Sequence, residues 1–335
     1  MIPGAGTPPR RPTRRAAVRL AVLLVLLLAL AVALRHRWAE VRPLLGQLSL
    51  PATGLATACV LAGVFSSYLA WRAILADLGS PLPLTAGMRV FFLGQLGKYL
   101  PGSIWPVAAQ MELGRDYQVP RRASGAAVVV TMLLLLGTGL LLAVLALPLS
   151  GPAVSGRYWW VLLALPVALV ALYPRVLNRL LDRALRLARR EPMPTPLSPG
   201  GILRAAGWAT AMWGLYGAHV WVLAHDLGVS AAGLPLRAAG AFAAAWCIGF
   251  LLVVAPAGAG VREPALVLLL APAVPATRAL VIALVSRLLF TVGDLGWGGV
   301  ALLARRRPPL PAPAAGTGEQ APVTARPSDP AAGDR

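Results

Sequence analysis

Lys98 is the only lysine among the 31 lysine and arginine residues of this 335-residue chain. It lies in the segment GQLGKYLPGSIWP (94–106), shortly before a Pro101–Gly102 pair that interrupts a helix. The segment lacks the spacing and the following Ser or Thr of a Walker phosphate loop. A lone ammonium group in such an apolar stretch either binds a partner or extends to an aqueous interface, and the sequence is consistent with both interpretations.

A second candidate site follows another break, in the segment GAGVREPALVLLL (258–270). Gly258 and Gly260 permit a tight turn, after which a helix begins near Arg262 and Glu263. Free N–H groups at a helix start and the planar guanidinium of Arg262 both favour a phosphate group. The alternative is that Arg262 and Glu263 pair locally and hold the loop.

Other ionisable residues in apolar segments are expected to turn inward and find partners. Arg287 and Asp294 are seven positions apart, hence on one helix face, and we expect them to pair with each other. We expect Glu112 to counter the charge of Lys98 or Arg115. No cofactor and no metal site is predicted, since the cysteines and histidines lack the clustering that metal binding needs.

The composition indicates a polytopic membrane protein. Hydrophobic residues make up 58% of the chain, charged residues only 13%, and the mean hydropathy is +0.71. Several apolar runs reach the roughly 20 residues that a membrane-crossing helix needs. The formal net charge of +19 does not indicate nucleic-acid binding, because the arginines lie mainly in short loops between apolar runs. Basic residues in such loops are typical of membrane proteins, whose orientation they determine.

We predict an all-α fold with about six full spans and two re-entrant broken helices. The two re-entrant segments, 86–100 and 238–255, are shorter, and each stops at a proline followed by small residues. Irregular backbone at membrane depth is tolerated only where protein or a wet cavity covers it. The predicted full spans are 16–34, 52–76, 123–148, 158–174, 200–224 and 276–304.

Landmarks shared by the two halves predict an internal repeat. The spacing from Gly94 to Pro101 equals that from Gly249 to Pro256, and the phrases LADLG and AHDLG, each followed by LPL, precede them. Chance similarity among Leu/Gly/Pro-rich helices is the alternative. The residues predicted to form the structural breaks are Gly94, Pro101, Gly102, Gly249, Pro256, Gly258 and Gly260.

Counting the crossings predicts that the repeats are inverted. Repeat one, about 52–148, and repeat two, about 200–304, begin on opposite faces, so their breaks approach each other near the midplane, as in secondary transporters. The arginine distribution predicts a plasma-membrane protein with both termini in the cytoplasm.

The sequence also supports predictions for the termini, the first apolar run and one basic segment. A basic amphipathic helix, about 175–190, is expected on the cytoplasmic surface near anionic headgroups, with a solvated connector as the alternative. Residues 1–15 and 306–335 are expected to be disordered. The apolar run 16–34 is favoured as a retained span over a signal peptide.

The motif GQLGKYLPGSIW, followed at a distance by PAGAGVRE, resembles the flippase-like family typified by the transmembrane region of lysylphosphatidylglycerol synthases, which also has stand-alone members. The resemblance covers about residues 16–305. It implies a membrane domain that moves anionic or aminoacylated phospholipids, or polyprenyl-linked sugars, between leaflets. Here PAGAG replaces the commoner double glycine, and no soluble aminoacyl-transfer domain follows, so we expect no lysyl transfer. The residues that match the family motifs are Lys98, Tyr99, Pro101, Gly102, Gly258, Gly260, Arg262 and Glu263.

The function expected on these grounds is lipid transport without a covalent catalytic step, with membrane lipids as the ligand. One alternative is a membrane transferase acting on a lipid-linked substrate, with Glu112, Asp116, Glu263 or Asp294 as its acid or base. Another is a non-transporting partner of a separate lipid synthase or glycosyltransferase. The predicted substrate-binding residues are Lys98, Tyr99, Glu112, Arg262, Glu263, Arg287 and Asp294.

Overall fold

The computed structural model describes most of the chain between residues 38 and 304. The described residues are 38–99, 105–149, 173–187, 195–251 and 260–304, with the single residues 35, 166 and 193. The predicted disordered termini, the span 16–34 and nearly all of the span 158–174 lie outside them. So do four of the predicted break residues, namely Pro101, Gly102, Pro256 and Gly258.

Every regular element in these residues is a helix, in agreement with the predicted all-α fold. In chain order the α-helices are α1 (Trp38–Gln47), α2 (Leu50–Asp77), α3 (Leu84–Gln95), α4 (Trp105–Arg115), α5 (Arg121–Leu149), α6 (Pro174–Leu187), α7 (Pro199–Asp226), α8 (Leu234–Leu251), α9 (Arg262–Leu270) and α10 (Ala276–Leu303). A short 3₁₀ helix, Leu96–Tyr99, continues α3.

Four of the described helices, α2, α5, α8 and α10, are long and apolar enough to cross a membrane. Three of them coincide with the predicted spans 52–76, 123–148 and 276–304. The fourth differs from the prediction of a re-entrant segment at 238–255, because α8 begins earlier, at Leu234, and its 18 residues are long enough to cross. Helix α7 covers the predicted span 200–224 and has 28 residues, but its glycines, tryptophans and polar groups keep it out of these four.

Helices α2 and α7 form the most extensive helix pair and run antiparallel, since each caps the other. Ser49 precedes α2, and its N–H and hydroxyl donate to the carboxylate of Asp226, at the end of α7, at 2.7 and 2.8 Å. Ser198 precedes α7, and its N–H and hydroxyl donate to Asp77, at the end of α2, both at 2.7 Å. Each serine hydroxyl also accepts a backbone N–H of the helix that it begins, which satisfies a donor that the helix cannot pair.

The repeated phrases LADLG and AHDLG end these two helices. Each supplies the aspartate of the cap and, two residues later, a glycine with positive φ, +81° at Gly79 and +75° at Gly228. Left-handed backbone of this kind ends a helix and is readily adopted by glycine. The sequence similarity therefore corresponds to one local structure built twice.

Two pairs of packed helices dock on α10. Helix α3 has 12 residues, roughly 18 Å at 1.5 Å per residue, and α4 packs back against it. In the second pair α9 packs against α8, and both α3 and α9 contact α10. The break positions Gly94 and Gly249 were placed wrongly, because both lie inside helices. A side chain at Gly94 would overlap Gln110 of α4, so this glycine permits close helix packing instead of a break.

Helix α6 is the described part of the predicted amphipathic segment 175–190. Its leucine row, Leu177, Leu181 and Leu185, is buried against the protein. The side-chain amide of Asn178 binds the backbone N–H and C=O of Leu197 at 2.9 and 3.0 Å, which fixes α6 near the start of α7. The arginines Arg175, Arg179, Arg183 and Arg186 are exposed.

Candidate functional site

The candidate site lies where the 3₁₀ helix, the start of α9 and the middle of α10 meet. Counted from the start of α10, which is about 42 Å long, Arg287 and Asp294 lie roughly 16 and 27 Å along it. Both therefore belong to the central part of a helix that is long and apolar enough to cross a membrane. Ionised side chains at that depth require partners.

Asp294 is bound by two donors from the 3₁₀ helix Leu96–Tyr99. Its Oδ2 lies 2.7 Å from the ammonium nitrogen of Lys98 and accepts a hydrogen bond from the Tyr99 hydroxyl at 2.6 Å. The aspartate side chain is only 5% exposed, whereas that of Lys98 is 29% exposed. Lys98 thus reaches inward to a buried carboxylate, which does not match the alternative in which it extends to the interface.

Glu263 makes a second ion pair and holds the loop before α9. Its Oε1 lies 3.0 Å from Nη1 of Arg287, and its Oε2 accepts the N–H of Gly260 at 2.8 Å. Gly260 has a φ of +79°, so the predicted tight turn is present there. As at the first pair, the carboxylate is buried, with 6% exposure, and the cation is more open, with 32%.

The structure gives the partners of Arg287, Asp294 and Glu112, for which pairings were predicted. Asp294 pairs with Lys98 and Arg287 pairs with Glu263, so each has an ion-pair partner from outside α10. Of the two partners predicted for Glu112, Arg115 is confirmed at 2.8 Å, and Arg121 also pairs with this exposed carboxylate, at 2.7 Å. These hydrogen bonds, mainly that from Arg121, lower the pKa of Glu112.

Arg262 is placed differently from the other two basic residues. Its guanidinium carbon lies 4.3 Å from the ring centre of Phe242 and 4.9 Å from that of Phe290. Its Nη2 atom is buried, and no hydrogen-bond partner for it exists among the described residues. The proposed local pairing with Glu263 is not the arrangement seen, since that carboxylate is bound to Arg287 and Gly260.

These groups line one small cavity of about 50 Å³. That volume holds a few water molecules at roughly 10–15 Å³ each. Its lining contains three basic side chains and two acidic ones, so one positive charge is in excess. The neighbouring segments 100–104 and 252–259 lie outside the described residues and contain no ionisable side chain. The charged lining residues are Lys98, Arg262, Arg287, Glu263 and Asp294.

Phe242 and Phe290, which lie beside Arg262, were not predicted from the sequence, and neither was the nearby hydrogen bond between His219 and Ser286. Phe290 lies between Arg287 and Asp294 at helical spacing, so the face that they share could have identified it. Phe242 carries no comparable signal, because its proximity depends on the packing of α8 against α9. His219 of α7 and Ser286 of α10 form a buried hydrogen bond of 2.9 Å, and Ser286 also lines the cavity.

Replacing Asp294 by asparagine tests the first ion pair. Asp294→Asn leaves the partly exposed Lys98 ammonium without its counter-charge, so we expect the free energy of unfolding to fall by about 1–3 kcal/mol, the cost of an unsatisfied donor. The midpoint of thermal unfolding in a mild detergent measures this loss. Adding Lys98→Gln should restore part of it, because the double variant buries no unmatched charge.

Glu112→Gln is the matched control, since it removes a carboxylate that also has two side-chain donors, here Arg115 and Arg121, but is exposed. It should shift the unfolding midpoint much less. Equal small shifts for Asp294→Asn and Glu112→Gln would show that the buried pair is not a structural requirement.

Comparison with known proteins identifies the family. Residues 17–298 match the family described as the lysylphosphatidylglycerol synthase TM region. No curated protein matches the chain. The match covers well over half of the sequence, includes both motifs on which the resemblance was based, and contains all the residues that line the cavity. The protein is a membrane protein and belongs to the family of lysylphosphatidylglycerol synthase transmembrane regions.

Proposed function

We propose that this protein is a lipid transporter that binds an anionic headgroup at the cavity between the two broken segments and α10. The observation that carries the proposal is the excess positive charge of that cavity at the middle of a membrane-crossing helix. Charge at this depth is costly and marks a pathway or ligand site in membrane proteins. A phosphodiester carries one negative charge and would balance the lining.

The exposure of the charged groups supports an anionic ligand. The carboxylates of Glu263 and Asp294 are almost completely buried, whereas about three tenths of the Lys98 and Arg287 side chains is exposed. The cations are therefore more accessible than the carboxylates. A guanidinium also presents two parallel donors to a phosphate, which favours this group over a single-oxygen ligand.

The cavity is too small for a headgroup, so transport requires movement of the broken segments. Lys98 belongs to the first segment and Glu263 to the second, and both are bound to the single helix α10. A headgroup phosphate that replaces Asp294 at Lys98 would weaken the contact between the first segment and α10. Binding would then be coupled to opening of the cavity, as alternating access requires.

We further propose that the two halves are inverted repeats and that the first of the two predicted re-entrant segments, 86–100, re-enters the membrane. The reciprocal caps of α2 and α7 support this, because corresponding residues of the two halves lie at opposite ends of one antiparallel pair. The arginines of α6 lie near the start of α7, and this end is proposed to face the cytoplasm, as the positive-inside rule favours. Both termini are proposed to be cytoplasmic, in the plasma membrane.

Single cysteines at Ser80 and Ser230 test the inverted arrangement. These residues follow the corresponding phrases LADLG and AHDLG, and we expect them on opposite faces. In a Cys59→Ala/Cys247→Ala background, a membrane-impermeant maleimide added to intact cells should label Ser230→Cys and not Ser80→Cys. Permeabilised cells, in which both should react, provide the control. Labelling of both or of neither in intact cells would contradict inverted repeats.

Mass spectrometry of lipids that copurify in mild detergent tests the proposed ligand site. Arg262→Gln removes the excess charge and leaves no carboxylate without its partner, so the variant should fold. We expect wild type to retain an anionic or glycosylated lipid and Arg262→Gln to lose most of it. Arg278→Gln, on the same helix as Arg287 but outside the cavity, should retain it.

The other outcomes separate the alternatives. The same bulk lipids in all three proteins would contradict the headgroup site and favour a partner of a separate lipid synthase or glycosyltransferase. A lipid that is retained but chemically altered in wild type alone would favour a membrane transferase.

A further inference from the structure

Two aromatic rings surround the Arg262 charge where a carboxylate would be expected. Phe242 comes from α8 and Phe290 from α10, and their rings are stacked with centres 5.5 Å apart and planes 17° from parallel. The guanidinium carbon lies within 5 Å of both ring centres. Phe290 lines the cavity beside Arg262, and Phe242 is buried behind it.

Contact with aromatic rings and contact with a carboxylate affect the charge of Arg262 differently. The face of a phenyl ring is electronegative and stabilises a nearby cation, most strongly where water is excluded. A ring carries no net charge, so the positive charge of Arg262 persists. Lys98 and Arg287, in contrast, are each matched by a carboxylate within 3.0 Å. Ring contact thus keeps one cation in the cavity without neutralising it.

The rings are themselves fixed by a second layer of side chains from α7. His219 meets the Phe242 ring at 90° with centres 4.9 Å apart, and Tyr216 meets the Phe290 ring at 67° with centres 4.7 Å apart. His219 is fully buried and bonded to Ser286, so it has little freedom to move. Helices α7, α8 and α10 therefore determine together where the Arg262 charge lies.

We propose that Phe242 and Phe290 are positioning residues that hold Arg262 charged in the cavity and thereby set the affinity of the site for a phosphodiester anion. This inference rests on the proposed function, because it assigns the rings a role in binding the same ligand. It adds that the anion affinity depends on the electrostatic character of the rings and not only on their volume.

Fluorination separates charge from shape at position 290. Replacing Phe290 by mono-, di- and trifluorophenylalanine weakens the negative face of the ring while nearly preserving its size. The probe is dihexanoyl phosphatidylglycerol, a phosphodiester monoanion, titrated into the full-length protein in a neutral detergent. We expect a stepwise loss that reaches about threefold to tenfold in Kd for the trifluoro ring, in the range of a desolvated cation–π contact. Phe290→Leu, which keeps an apolar side chain and removes the ring, should lose at least as much.

Two matched variants make the test specific. Trifluorophenylalanine at Phe91, whose ring contacts Tyr68, Trp71 and Phe92 but not Arg262, should leave the affinity unchanged. In an Arg262→Gln protein, fluorination of Phe290 should have no further effect, because the cation is gone. Both results are needed, since they separate a contact with the charge from a general packing effect.

Failure of this inference differs from failure of the proposed function. If Arg262→Gln weakens binding but fluorination of Phe290 does not, the anion site stands and the positioning role is overturned. Equal losses at Phe91 and Phe290 also overturn it. If Arg262→Gln binds the probe as tightly as wild type does, the proposed headgroup site is wrong and the positioning role is lost with it.

Discussion

An ionised side chain in the middle of a membrane-crossing helix costs several kcal/mol unless a partner or water reaches it. In this protein that requirement falls on α10, which carries Arg287 and Asp294 in its central part. Asp294 pairs with Lys98 of the 3₁₀ helix and Arg287 pairs with Glu263 of α9, so both have a partner from outside α10. The packing of both broken segments against one helix is thus tied to charge balance as well as to apolar burial.

The arrangement is not symmetric, although the two halves share several features. The caps at Asp77 and Asp226, with the glycines that follow them, are matched between α2 and α7. Helix α5, which corresponds to α10 in the proposed repeat arrangement, has no ionisable side chain after Arg122. Among the described residues, the buried ion pairs of α10 therefore have no counterpart on α5. A headgroup bound as proposed would contact both Lys98 and the residues at the start of α9, so its binding would influence how these two segments move.

Much of this site follows from the sequence because its cations are exceptional in their surroundings. A lone lysine before a Pro–Gly break and an Arg–Glu pair after a Gly-rich one were identifiable from residue type and spacing. Their partners were not, since the pairing of Lys98 with Asp294 joins residues 196 positions apart and depends on which helices pack together. Phe242 could not be identified either, because its contact with Arg262 also depends on which helices pack together. Gly94 was misassigned because helix breaking and close packing select the same residue, and only the neighbouring Gln110 distinguishes them.

The central claim is that the charge of Arg262 serves the movement of an anionic lipid, and leaflet exchange measures this most directly. Fluorescent phosphatidylglycerol is incorporated into vesicles with wild-type protein, with Arg262→Gln or without protein, and the outer leaflet is quenched by dithionite. The account predicts that wild type exposes inner-leaflet lipid faster than protein-free vesicles do, and that Arg262→Gln falls towards the protein-free rate. Exchange in wild type at the protein-free rate, or at an equal, faster rate in both proteins, would contradict it.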